Sequence, residues 1–135
     1  MAGTVVVDTV KSSTSGAPVF QNTSGTQIGQ LARAWVRFDG TNAFSPNPST
    51  TAITASFNVT SITKNGTGDY TVNFTNNMSS ANYCAVVFGG KSGVAFGLGL
   101  EATAAPTAAA YRFLTYGSSF TVTDTPNNCV AIFST

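Results

Sequence analysis

The stretch from Ala55 to Phe74, ASFNVTSITKNGTGDYTVNF, constrains the fold more than any other part of this chain. In Ala55, Phe57 and Val59, and again in Tyr70, Val72 and Phe74, apolar residues fall at every second position. A period of two sends successive side chains to opposite faces, so each half is expected to be a β-strand that buries one face. Between the halves lies Asn65-Gly66-Thr67-Gly68-Asp69. Asn-Gly accepts the positive φ angles of a tight connection at little steric cost, so the spacing predicts a hairpin that turns there.

Composition extends this to the whole chain. Of its 135 residues 42% are apolar and ten are Phe, enough for the core of one domain. Thr is the commonest residue type, and Asn and Gly are abundant. Thr favours pleated strands and Asn and Gly favour turns, so the chain reads as all-β. Only 8% of residues are charged, against roughly 25% in an average soluble domain. Six basic and five acidic residues, scattered singly, leave a net charge of +1. No basic stripe exists to neutralise a run of phosphates, which argues against a nucleic-acid partner. Weak self-repulsion suits a surface used in assembly. The start, MAGTVVVDTV, lacks a basic n-region and no run is long enough to span a bilayer, so cytoplasmic synthesis without membrane insertion is expected.

Along the chain, residues 1–30 differ from residues 31–135. Thr4–Val10 carries four valines, Pro18-Val19-Phe20 is a brief apolar run, and Ser- and Gly-rich breaks flank both. Such pieces need a surface to lie on. They read as an extended arm contacting a neighbour through Val5, Val6, Val7, Val10, Val19 and Phe20; an edge strand of the same domain is the alternative. Leu31–Asp39 places Ala32, Ala34, Val36 and Phe38 on one face and Arg33, Trp35 and Arg37 on the other. Stacking of either Arg on Trp35 would be worth about 0.5–1 kcal/mol, and Trp and Arg are enriched at interfaces; a solvated strand face is the bland reading. Asn82–Phe88 is nearly all apolar and is expected to be a central strand buried on both faces. Val94–Leu100 alternates large residues with a glycine face. Glu101–Ala110 reads as a loop, and three strands follow at Ala110–Tyr116, Phe120–Asp124 and Cys129–Phe133. The sum is about eight strands at the spacing of a single antiparallel β-sandwich or jelly-roll-like domain.

The inventory for chemistry is thin. There is no histidine, which excludes Ser-His-Asp and Cys-His triads, and two cysteines alone cannot hold zinc. No acidic loop resembles a Ca²⁺ site, and no cofactor is expected. Cys84 and Cys129 sit in apolar strands and read as small buried hydrophobes; a disulfide formed after release from the cell is the alternative. Asn-x-Ser/Thr triplets at Asn22, Asn58, Asn65, Asn73 and Asn77 follow from composition. Gly89-Gly90-Lys91-Ser92 ends like a phosphate-binding loop, but Ala85 stands where the first glycine is required and a strand pattern follows, so a β-turn is expected. Glycoside hydrolysis needs two facing carboxylates, for which Glu101 and Asp124 are the candidates, within one chain or across subunits. Trp35, Tyr111 and Tyr116 are candidates for stacking on sugar rings without cleavage, with core or interface packing as the alternative.

Asp8-Thr9-Val10 and Ser15-Gly16-Ala17-Pro18 resemble N-terminal segments of tail-fibre and other structural proteins of bacteriophages of marine and freshwater bacteria, cyanophages especially. Leu31–Gly40, LARAWVRFDG, then SFNVTSITKNGTGDYTVNF and Met78–Val87, MSSANYCAVV, look like a module that recurs in those proteins. The resemblance is clearest from residue 4 to residue 88. It implies a virion structural protein that is not an enzyme, assembled in the host cytoplasm, homotrimeric, and partnered with other virion proteins. A tail-fibre or adhesin component attached through its arm is the leading expectation. A capsid decoration or head fibre, and a carbohydrate-binding module that meets a host surface glycan, are the alternatives.

Overall fold

In the computed structural model the described residues are 7, 9–10, 20–91, 94–95, 104–117 and 119–134, and they contain strands and no helix. Ten strands are present among them: β1 (Phe20–Gln21), β2 (Gln27–Gly29), β3 (Ala34–Phe38), β4 (Ile53–Phe57), β5 (Val59–Gly66), β6 (Asp69–Phe74), β7 (Cys84–Lys91), β8 (Val94–Ala95), β9 (Ala110–Leu114) and β10 (Asn127–Phe133). The chain divides into two compact units, Met1–Leu31 and Ala32–Thr135. In the first, β1 and β2 pair antiparallel around a turn in which the Asn22 side chain accepts hydrogen bonds from the Ser24 and Thr26 N–H groups. Val7, Val10 and Phe20 are exposed there, whereas Val5, Val6 and Val19 lie outside the described residues.

The second unit is a β-sandwich. One sheet has five antiparallel strands in the order β4-β3-β10-β7-β8, and the other has three in the order β5-β6-β9. Ala34, Val36 and Phe38 on β3 and Val130 and Ile132 on β10 face inward from the larger sheet. Ile62 on β5, Tyr70, Val72 and Phe74 on β6, and Tyr111 and Phe113 on β9 meet them from the smaller one. The centre is aromatic: the Phe38 ring meets Tyr70 edge-on at 5.2 Å between centroids and Phe113 at 6.2 Å. Edge-to-face contacts of this kind add about 0.5–1.5 kcal/mol beyond the burial of the rings.

The hairpin of the Ala55–Phe74 stretch is β5–β6, with two corrections. First, the turn residues are Thr67-Gly68 rather than Asn65-Gly66, with Gly66 opposite Asp69. Gly68 supplies the positive φ, at 61°, and a Cβ there would stand 2.6 Å from the Thr123 backbone N and O. Second, Ala55 and Phe57 belong to β4, an edge of the larger sheet, not to the strand of Val59. The chain changes sheets at Asn58, which has φ 55°. Its side chain accepts a hydrogen bond from the Asn76 N–H at 2.7 Å and donates to the Arg33 carbonyl at 3.0 Å and the Asn76 carbonyl at 3.1 Å.

A further correction concerns β7. Its residues alternate instead of being buried on both faces: Ala85 and Val87 are partly buried against the core, while Cys84, Val86 and Phe88 are exposed. Only one face of the five-stranded sheet is covered by the smaller sheet, so the other stays open although its residues are apolar. Lys91 ends β7 and pairs antiparallel with Val94 of β8, so a strand follows where a phosphate loop requires a helix; Ser92 and Gly93, at the expected turn, lie outside the described residues. Gly97 and Gly99 of the expected glycine face lie outside the described residues.

Candidate functional site

Two sites stand out, one polar and one apolar. The polar one lies at the tip of the β5–β6 hairpin. Asp124 accepts hydrogen bonds from Lys64 Nζ at 2.7 Å, from Tyr70 Oη at 2.6 Å and from the Gly68 N–H at 2.7 Å. The Tyr70 hydroxyl also lies 3.0 Å from the Gly40 carbonyl, and its single proton goes to the nearer, charged acceptor. Burial by itself would raise the Asp124 carboxyl, but these donors outweigh it and hold the group below the ordinary carboxylate value. The Tyr70 hydroxyl is pushed well above the ordinary phenol value, first by burial and then by its hydrogen bond to Asp124. Beside this network Arg112 pairs with Asp69 at 2.6 Å. That guanidinium lowers the Asp69 carboxyl against an opposing effect of burial, with Asn65 Nδ2 adding a donor at 3.2 Å. Asp124 is thus a tie between the hairpin tip and the segment after β9. Glu101, its expected partner for glycoside hydrolysis, lies outside the described residues. Among the described residues no group of three or more Cys, Asp or Glu is placed to hold a metal ion.

The apolar site is the open face of the five-stranded sheet. Strand register sets its pattern. Trp35 on β3 stands opposite Phe57 on β4 and Ala131 on β10, and Ala131 in turn stands opposite Val86 on β7. One step along, Arg37 and Phe88 flank Cys129. Trp35 is 41% exposed, Phe57 54%, Val86 54% and Phe88 60%. Small side chains on the central strand between large ones on its neighbours leave a shallow trough of about 340 Å³ along β10. Arg37 leans aside to donate to Asn127 Oδ1 at 3.1 Å, and among the described residues the cation–π contacts belong to Lys64, over Phe44 and Tyr70, instead of to Trp35.

Of the aromatics singled out in the sequence, only Trp35 is on this face. Tyr111 takes the core-packing alternative: it is 7% exposed and stacks on Phe113 in the core, because β9 turns that face to the larger sheet. Tyr116 is half-buried and bridges Val122. Arg33 is half-buried in the bend just before β3, the strand of Trp35. Cys84 and Cys129 are exposed free thiols, not buried ones. They lie opposite Phe133 and Phe88, so four residues of strand, about 13 Å, separate their levels. A disulfide needs Cα atoms within about 7 Å, so the two cannot pair within one chain in this fold. Sequence reasoning missed Phe57, Val86 and Phe88 as face residues because it assigned them to buried positions.

No protein-family model matches the chain, and no curated protein matches it either. Among solved structures it is similar to the crystal structure of the phiAB6 tailspike in complex with three-repeated oligosaccharides of Acinetobacter baumannii surface polysaccharide. The identity is 18% and the TM-score 0.47 over 96% of this chain, which spans 30% of that tailspike. A likeness that loose carries no weight for function.

Proposed function

We propose that this chain is a non-enzymatic structural protein of a bacteriophage virion, a tail-fibre or adhesin-type component that works through its surfaces and not through an active site. The observation that carries the reading is the open apolar sheet face around Trp35, Phe57, Val86 and Phe88. A protein with so few charges has little charged surface to offset such a face, and a contiguous exposed apolar patch is often where a protein makes its contacts. The resemblance of Leu31–Gly40 and Ser56–Phe74 to a recurring virion module supplies the context, and the arm of residues 1–30 supplies an attachment. Asp124, which accepts from three different residues, is occupied in tying loops together, which favours a structural role.

Immunogold labelling and quantitative mass spectrometry of purified particles test the assignment. The expected result is label at the tail, with a handful to a few tens of copies per virion. Hundreds of copies spread over the head would replace the tail with capsid decoration. Absence of the chain from particles that its genome produces would remove the assignment.

A further inference from the structure

The open face has a shape as well as a chemistry. Across the sheet, Phe57 and Trp35 form an aromatic ridge over β4 and β3, and the trough over β10 lies directly beside it, floored by Ala131 and Cys129. The strands that wall the trough, β3 and β7, are two sheet spacings apart, about 10 Å, which admits one row of side chains. We propose that this face is where the chain pairs with a second copy of itself, face to face about a two-fold axis that runs parallel to the strands between ridge and trough. Such an axis carries each ridge over the partner's trough, so one patch supplies both complementary halves, as an isologous contact requires.

The area agrees with a pair. Taking a whole aromatic side chain as about 150–250 Å², the exposed parts of Trp35, Phe57 and Phe88 together with Val86 present roughly 400 Å². A standard interface takes about 800 Å² from each partner, somewhat over half of it apolar. These four side chains therefore fill the apolar centre of one such contact. A sugar fits less well, because orienting it takes several polar groups and the trough offers Arg37 alone on otherwise apolar walls. Electrostatics set no barrier, since a net charge of +1 per chain repels a second copy only weakly.

The proposal rests on reading this face as an assembly surface; it adds what covers it, and it sets a pair in place of the homotrimer that the resemblance implies. Trp35 is the only tryptophan in the chain, so its emission reports on this face alone. The full-length chain should sediment at twice its own mass as its concentration rises to about 100 μM, with Trp35 emission moving to the blue and becoming shielded from acrylamide over the same range. Phe88→Glu, which points away from the core, should weaken pairing by about thirtyfold or more, the loss expected of a buried anchor. Phe120→Glu, at an exposed aromatic in the loop after Tyr116, should leave it unchanged. A single-chain mass throughout overturns the proposal. So does a mass of three chains, and so does association that leaves Trp35 emission unaltered. The emission series needs no variant, so it decides even where Phe88→Glu fails to fold. A monomer leaves the virion assignment standing, because particle labelling does not depend on self-association; a dimer missing from particles removes the assignment alone.

Discussion

Asn58 does at one position what the sequence pattern around it conceals. Its left-handed backbone swings the chain from the larger sheet to the smaller, and its side-chain amide fastens the crossing to Arg33 and Asn76. Left-handed conformation costs most L-residues roughly 1–2 kcal/mol, and Asn pays less because its short amide bonds locally. Asn58→Ala should therefore lower the free energy of unfolding by about 2–3 kcal/mol, adding lost hydrogen bonds to backbone strain. Asn58→Gly should cost less, since it keeps the φ and loses only the bonds. Urea denaturation of the two variants checks the order; equal losses would mean the backbone term is negligible. Nothing at the residue level announces this role. Phe57-Asn58-Val59 continues the alternation of apolar positions, and only the placement of the two sheets shows that Phe57 and Val59 serve different faces.

At the scale of elements, legibility follows how well a pattern separates inside from outside. In β3 and β6 the apolar and polar positions alternate, and the buried sets are the ones the period of two selects: Ala34, Val36 and Phe38, then Tyr70, Val72 and Phe74. β7 gives no such contrast. Apolar residues on both faces read the same whether the second face meets core or solvent, so its open side is invisible to periodicity. The hairpin was legible as a hairpin, but its turn was not, because two glycines compete for one left-handed position and only the neighbouring Thr123 backbone shows which has no room for a side chain. Gly68→Ala should thus cost several kcal/mol, combining strain with a forced shift of Thr123, whereas Gly66→Ala, with open space around its Cβ, should change stability by less than about 1 kcal/mol. Thermal melts of both variants check this; similar melting temperatures would mean the turn relocates.

For the molecule as a whole, two carboxylates link stability to pH. Asp69 and Asp124 titrate below their ordinary values in the folded state, so each favours folding when ionised. That contribution is complete above the unfolded carboxylate value of about 4 and is lost as pH falls through the lower folded values. Melting temperature should hold from neutrality to about pH 5 and fall below it. Asp124→Asn should melt lower than the parent at neutral pH and lose less on acidification, as calorimetry at the two pH values will show; an identical acid slope would remove Asp124 from the account.

The antiparallel pairing of β3 with β10 has a directional consequence. Arg33 donates its N–H to the Ile132 carbonyl, so the first and last strands of the sandwich enter and leave at one end, side by side. The opposite end carries Gly40, the Thr67-Gly68 turn and Asp124. A tether fixed at either terminus of the sandwich therefore grips the same pole and leaves the pole of Gly40, Gly68 and Asp124 facing outward. A two-fold axis along the strands preserves that sense, so paired copies would project their free poles in the same direction, like two bristles set in one base.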